Sequence, residues 1–403
     1  MYADKEYIIA LRHELHEYPE IGFDLPRTLA LVKRELSAIG LDYTEEYGES
    51  SVVATINPEK THFTIGIRAD MDALPITEKN DISYKSKIDG AMHACGHDAH
   101  TAMLLGTAKA LYAMKEKIDC RVKLLFQPSE EGRRSGAEEM VNHGVMDDID
   151  VIIGVHVENW LESGEIGVCK GASMASNRNI KLEFFGRTAH ATLPQTGHDA
   201  LAAAVGTYNG IQTMLTRTIN PFSKYVCSVG KLSAGTTQNV VADYAEMLIT
   251  VRTFDMELDS HIDTSIKNIA KNSAEAFNCT TKIDSTLNCF VLYNDTYISE
   301  LVLTSAGKVI GKDKVVKMPE KLSSEDFSQY LTKKPGVFIR LGTRNAEKGC
   351  TTLPHNNDFM IDEDALPIGS NVCVQFVLDN HNGIDEQKLK KAWEKYYDKN
   401  RSI

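Results

Sequence analysis

Short apolar runs of strand length alternate with helical periodicities through the first part of the chain, and this alternation restricts the fold more than any other feature of the sequence. Residues 51–56, 63–69, 122–126 and 151–157 read as strands, several of them apolar throughout. Before them, Leu29, Leu31, Val32, Leu36 and Ile39 have helical spacing, with Pro26 at the first turn and Gly40 as the stop. Further helices are expected over about 101–114 and 137–143. Strands that are apolar on both faces need cover on both faces, so the expected fold is α/β: a mixed, mostly parallel sheet with helices on either side.

From about residue 177 the order changes to strand, helix, strand, strand, helix, strand, over 180–185, 200–215, 225–232, 245–253, 260–276 and a final strand. That order is expected of a ferredoxin-like α+β unit with one sheet face open. Signals of the first kind then resume, with a strand at 337–341 and a helix from about 364. The economical organisation is an insertion, residues 177–290, within a first domain made of 1–176 and 291–403. A chain of 403 residues also exceeds what one hydrophobic core usually serves.

The formal charge of −12 argues against a nucleic-acid partner and against an anionic membrane surface, both of which call for clustered Lys and Arg. The first residues carry mixed charges and no long apolar run, so neither a signal peptide nor a spanning helix is expected, and the protein is placed in the cytoplasm. Eight cysteines without regular close spacing do not form a disulfide framework. Cys120, Cys169, Cys227, Cys279, Cys289, Cys350 and Cys373 are expected to be small buried thiols.

Cys95 differs, because it lies in Met92-His93-Ala94-Cys95-Gly96-His97-Asp98-Ala99-His100. If the segment is extended, Cys95 and His97 share a face and can approach one metal ion, with Gly96 letting the backbone bend close. The alternative is a histidine-rich loop leading to a helix that Asp98 caps. Thiolate and imidazole together favour zinc, manganese, cobalt or nickel over magnesium or calcium. Gln127-Pro128-Ser129-Glu130-Glu131-Gly132 follows a strand directly, where open α/β sheets hold ligands. Adjacent carboxylates in extended backbone point opposite ways, so one can bind metal while the other serves as general base; an acidic solvated turn is the plainer alternative. His156, at the end of an apolar strand, and His355, in a polar loop, are isolated histidines of the kind that are more often structural. His13-Glu14-Leu15-His16 lacks the i, i+4 histidine pair of a zincin, and no serine-hydrolase elbow or nucleotide-binding glycine loop occurs.

These segments resemble the amidohydrolase branch of the aminoacylase and carboxypeptidase-like dinuclear metallopeptidases, which includes hippurate hydrolases, plant auxin-conjugate hydrolases and N-acetyl-diaminopimelate deacetylases. The resemblance rests on His16 to Glu20, Arg68 to Pro75, Met92 to His100, Gln127 to Gly132, Gly154 to Val157, Gly186 to His190, Ser324 to Phe327 and Asp362 to Pro367. It implies two divalent metal ions held by Cys95, His97, Glu131, His156 and His355, with Glu130 as catalytic base and Asp70 orienting a ligand. It further implies that the insert is a lid or dimerisation domain in a homodimer or higher homo-oligomer. There His190 would stabilise an oxyanion, and Asn239 and Arg252 would contact a substrate carboxylate. Ala242 departs from the proline usual in similar enzymes after Asn-Val-x. The expected reaction is metal-dependent hydrolysis of the amide bond in a small N-acyl amino acid. A dipeptidase or carboxypeptidase on the same site, and a non-catalytic ligand-binding protein on the same scaffold, are the alternatives.

Overall fold

A computed structural model describes residues 2–385 and 387–389, so the last stretch of the expected 291–403 part lies outside the described residues. The chain divides into two compact units. One comprises the residues up to Gly171, then Tyr293–Pro319 and the described residues from Glu325 on; the other comprises Ala172–Leu292 and Glu320–Ser324.

The elements run α1 (Lys5–Glu17), α2 (Pro26–Ile39), β1 (Tyr43–Thr44), β2 (Val52–Ile56), β3 (Thr64–Asp70), α3 (His97–Ala113), β4 (Arg121–Gln127), α4 (Gly136–Asn142), β5 (Val151–Glu162) and β6 (Ile166–Val168). After β7 (Gly171–Met174) come β8 (Asn177–Phe185), α5 (Ala200–Arg217), β9 (Tyr225–Ala234), β10 (Tyr244–Thr253), α6 (Met256–Ala276) and β11 (Thr280–Cys289). The chain continues through β12 (Leu292–Asn294), α7 (Thr296–Ile310), β13 (Val315–Lys317), α8 (Ser328–Leu331), β14 (Gly336–Arg344) and α9 (Leu366–Asn380).

In the first unit eight strands form one sheet in the order β1-β2-β4-β3-β5-β14-β6-β13. Its centre, β4-β3-β5-β14, is parallel, and antiparallel pairs lie outside it. The expected mixed, mostly parallel sheet is therefore present. Ile65, Ile67, Leu124, Phe126, Val151 and Ile153 are at most 2% exposed, and they join Ile8, Leu36, Leu105 and Phe376 from the helices in one core. Burying a side chain of that size contributes about 1.5–3 kcal/mol. Helix α2 starts at Pro26 and ends as the sequence demands, with Gly40 left-handed at φ 91° and its N–H on Leu36 O.

In the second unit four antiparallel strands are ordered β11-β8-β10-β9, the ferredoxin-like order. Along β10, Ala245, Met247, Ile249 and Val251 are buried in alternation, while Tyr244 before them and Leu248 among them are exposed, so one face packs on α5 and α6.

Three local expectations need correction. Helix α3 begins at His97, four residues before the expected start. Strand β5 continues past His156 to Glu162, so that histidine lies within the strand and not at its end. Cys227 and Cys289 are half-buried; the other five cysteines of that group are buried, and none of the eight forms a disulfide.

Candidate metal centre

The polar residues of the first unit converge at the C-terminal ends of its parallel strands. Asp70 is the last residue of β3 and pairs with Gln127, the last of β4; two residues before Asp70, Arg68 pairs with Gly154 of β5. Open α/β sheets collect ligands at this edge.

Cys95 and His97 reach the edge from a turn and not from extended backbone. Gly96 is left-handed at φ 88° and precedes the first residue of α3, and a Cβ on it would meet Val157 Cγ2 at 2.4 Å. Only glycine satisfies both conditions. Asp98 does not cap this helix; it accepts from Arg12 Nε at 3.0 Å and from His16 Nδ1 at 2.7 Å, and so pins the first turn of α3 to α1.

Glu130 and Glu131 also depart from the extended geometry expected of them. Ser129 turns the chain at φ 49°, and Asp72 accepts from the N–H of both glutamates, at 2.9 and 3.1 Å. Both carboxylates consequently have an oxygen within 4.8 Å of a His97 nitrogen.

Ligand atoms of Cys95, His97 and His156 form one close group, and those of Cys95, Glu131 and His355 another. Cys95 Sγ lies 3.5 Å from His156 Nε2, and His355 Nε2 lies 3.1 Å from Glu131 Oε1. Hydrogen bonding fixes which imidazoles are available. His156 Nδ1 donates to Val157 O, which leaves Nε2 as a lone pair facing Cys95. His100 accepts at Nε2 from Val157 N and donates from Nδ1 to Asp70 at 2.5 Å, so both its nitrogens are used. Asp70 in turn takes Arg68 at 2.6 Å and stands 3.7 Å from His97 Nε2.

These residues fit divalent cations. Both nitrogens of His97 are buried without a hydrogen-bond partner, an arrangement that costs free energy unless something else is bound. Burial alone would lower the proton affinity of His97, yet Asp70, Asp72 and Glu131 raise its pKa to about 10. Burial first, then Glu131 and Glu130, pushes the Cys95 thiol well above its usual range. Burial, Glu325 and Glu131 do the same to the Glu130 carboxyl. The centre is thus rich in negative charge that positive ions would balance, and its sulfur, nitrogen and oxygen donors suit borderline ions such as zinc or manganese.

A match to the family described as peptidase family M20/M25/M40 spans residues 66–379. The chain belongs to this family. Among its relatives, a thermostable carboxypeptidase from Saccharolobus solfataricus is 34% identical over 369 residues, covering 91% of this chain and 93% of the relative. An N-acetyl-L-cysteine deacetylase from Bacillus subtilis is 35% identical over 362 residues, covering 90% of this chain and 85% of the relative. A solved Bacillus subtilis structure described as a dinuclear metal binding peptidase of the M20 family superposes with a TM-score of 0.79 at 30% identity, covering 94% of this chain and 99% of that one.

Other expected residues of this M20 chain lie in the second unit. His190 is exposed, bridges to Val240 and bonds Thr192 Oγ1 at 2.7 Å. Asn239 is brought next to it, since Ala191 N donates to Asn239 O. Arg252, on β10, donates to Leu322 O at 3.1 Å. Arg68, Asp72, Glu325 and Asp326 lie in the segments that carry the resemblance, but sequence alone assigns them no role. Arg68 is buried and donates to Gln127, Asp70, Glu325 and Asp326 at 2.6–3.1 Å, tying the Asp70 side of the centre to the Glu130 side. The period-two spacing of Arg68, Asp70 and Asp72 was the signal available for it.

Proposed function

We propose that this chain hydrolyses the amide bond of small N-acyl amino acids, with two divalent ions held by Cys95, His97, Glu131, His156 and His355. The observation that carries this reading is the membership of Cys95 Sγ in both ligand groups, which suits a thiolate shared between two ions. When bound, such ions polarise an amide carbonyl and acidify water.

Glu130 is the general base. It stands beside Glu325 and Asp326, and Asp326 N approaches its Oε1 at 3.5 Å. Burial, reinforced by these carboxylates, raises its proton affinity, which suits a group that takes a proton from water and passes it to the leaving amine. Asp70, 3.7 Å from His97 Nε2, is assigned on resemblance to orient a ligand and not to bind an ion itself. His190, as donor to the oxyanion, and Asn239 and Arg252, as donors to the substrate carboxylate, are assigned on resemblance and on the chemistry of imidazole, amide and guanidinium groups.

The test is a panel of N-acetyl and N-benzoyl amino acids and free-amine dipeptides given to the zinc- or manganese-loaded protein. N-acyl amino acids are expected to exceed dipeptides in kcat/KM by about a hundredfold or more. The reverse order would establish the peptidase reading, which the carboxypeptidase relative favours. Absence of metal-dependent hydrolysis across the panel would leave the non-catalytic scaffold.

A homodimer formed through the second unit is proposed as well. Strand β9 is an edge of its sheet, and Leu201, Val205 and Tyr208 are 44, 42 and 39% exposed at helical spacing on α5. A second copy would cover that apolar stripe and pair the edge. The parent chain should sediment as a dimer and the Leu201→Glu/Val205→Glu variant as a monomer; a monomeric parent contradicts the assembly. Among the described residues no helix is long and apolar enough to cross a membrane. Eight cysteines outside any disulfide suit the proposed cytoplasmic, reducing location.

A further inference from the structure

Of the five proposed ligands, His355 has the least local support. It lies in a segment, residues 351–360, without helix or strand; its backbone is left-handed at φ 68°, and its side chain is 55% exposed. A non-glycine residue in that conformation persists only where its surroundings enforce it. Left to itself, such a loop would spread His355 over many positions, and the ordering cost would be taken from the affinity of the ion.

The enforcement comes from two buried amides. Asn159, on β5 three residues beyond His156, is 1% exposed, and its Nδ2 donates to both Thr352 O at 2.7 Å and Met360 O at 2.8 Å. One side chain therefore holds the two ends of the loop together, as in a compact Ω-type loop. Its own Oδ1 accepts from Thr343 Oγ1 at 2.7 Å, which fixes the amide's orientation. Asn80 grips the far side: Nδ2 donates to Phe359 O at 3.1 Å and to Glu78 Oε1 at 3.0 Å, while the neighbouring Lys79 N donates to Asn357 O at 2.8 Å. Between these clamps His355 N donates to Ala94 O at 2.8 Å, beside Cys95.

We propose that Asn159 and Asn80 are positioning residues for the ion held by Cys95, Glu131 and His355: they fix the loop 351–360 so that His355 faces Glu131. The inference rests on the assignment of His355 as a ligand. Neither asparagine hydrogen-bonds a proposed ligand of the other ion: the Nδ2 hydrogens of Asn159 go to loop carbonyls, and those of Asn80 go to Phe359 O and to Glu78 Oε1, which also accepts from His16 Nε2 at 3.3 Å. The two ions should therefore respond differently to their loss, which a general structural role would not produce.

The experiment is calorimetric titration of zinc or manganese into chelator-stripped protein, for the parent, Asn159→Ala, Asn80→Ala and His355→Ala, with thermal melts of each apo form. The parent should bind two ions. Asn159→Ala and Asn80→Ala should each weaken one ion by about 10–100-fold, the range for groups that orient ligands, and leave the other within about threefold of the parent. Should Asn159→Ala not fold, as judged by its circular dichroism, Asn80→Ala decides. Two unchanged binding events in folded Asn80→Ala, or equal weakening of both ions, overturns the inference. Two full-affinity ions in His355→Ala would instead refute the ligand assignment beneath it.

Discussion

Glu130→Gln is expected to lower kcat by about a thousandfold or more while the protein still binds both ions. Glutamine preserves the shape of the side chain and removes its capacity to accept a proton. The environment of Glu130 separates it from Glu131, although both reach toward His97. Glu131 has His355 at 3.1 Å and belongs to the group with Cys95. Glu130 instead has Glu325 and Asp326 nearby, and after burial these are among the groups that raise its proton affinity. Steady-state kinetics combined with metal analysis makes the distinction. Loss of one ion in Glu130→Gln would make Glu130 a ligand, and unchanged turnover would remove it from the mechanism.

Cys95→Ser should have the largest effect on metal content, because the Sγ of Cys95 is the atom common to both ligand groups. Serine offers a hydroxyl that resists deprotonation and is a poorer donor for a borderline ion than a thiolate. Affinity for both ions should fall by at least about a hundredfold, whereas His156→Ala should affect one ion far more than the other. The loss also appears as stability. An ion present at 100 times its Kd adds about 2.7 kcal/mol to the folded state, a gain that the Cys95→Ser chain cannot make at the same metal concentration. Elemental analysis and melting curves with and without metal measure both effects. Retention of one ion at full affinity would assign the thiolate to a single ion.

Much of this architecture is legible in the sequence, because the parallel strands are apolar on both faces and the insert alternates in β10. The start of α3 was not. Its first turn, His97-Asp98-Ala99-His100, carries three polar side chains at most 2% exposed, buried by partners on α1, β3 and β5 that no local periodicity reveals. The geometry of Glu130 and Glu131 was missed for a similar reason. Two adjacent carboxylates suggest opposite faces, but Asp72, distant in sequence, holds both of their N–H groups and bends the chain. The proposed ligands could be nominated from motif order and resemblance, because a thiol, imidazoles and paired carboxylates in such segments suggest metal chemistry. The groups that hold those ligands were harder to find, since Arg68, Asn80 and Asn159 act through partners set by the tertiary fold.

The most direct measurement is anomalous diffraction from crystals of zinc-loaded protein, collected on either side of the zinc absorption edge. Two peaks are expected, both beside Cys95 Sγ, one also contacting His97 and His156 and the other Glu131 and His355. A map without density among these side chains, or with its peaks on other residues, would contradict the shared two-ion centre.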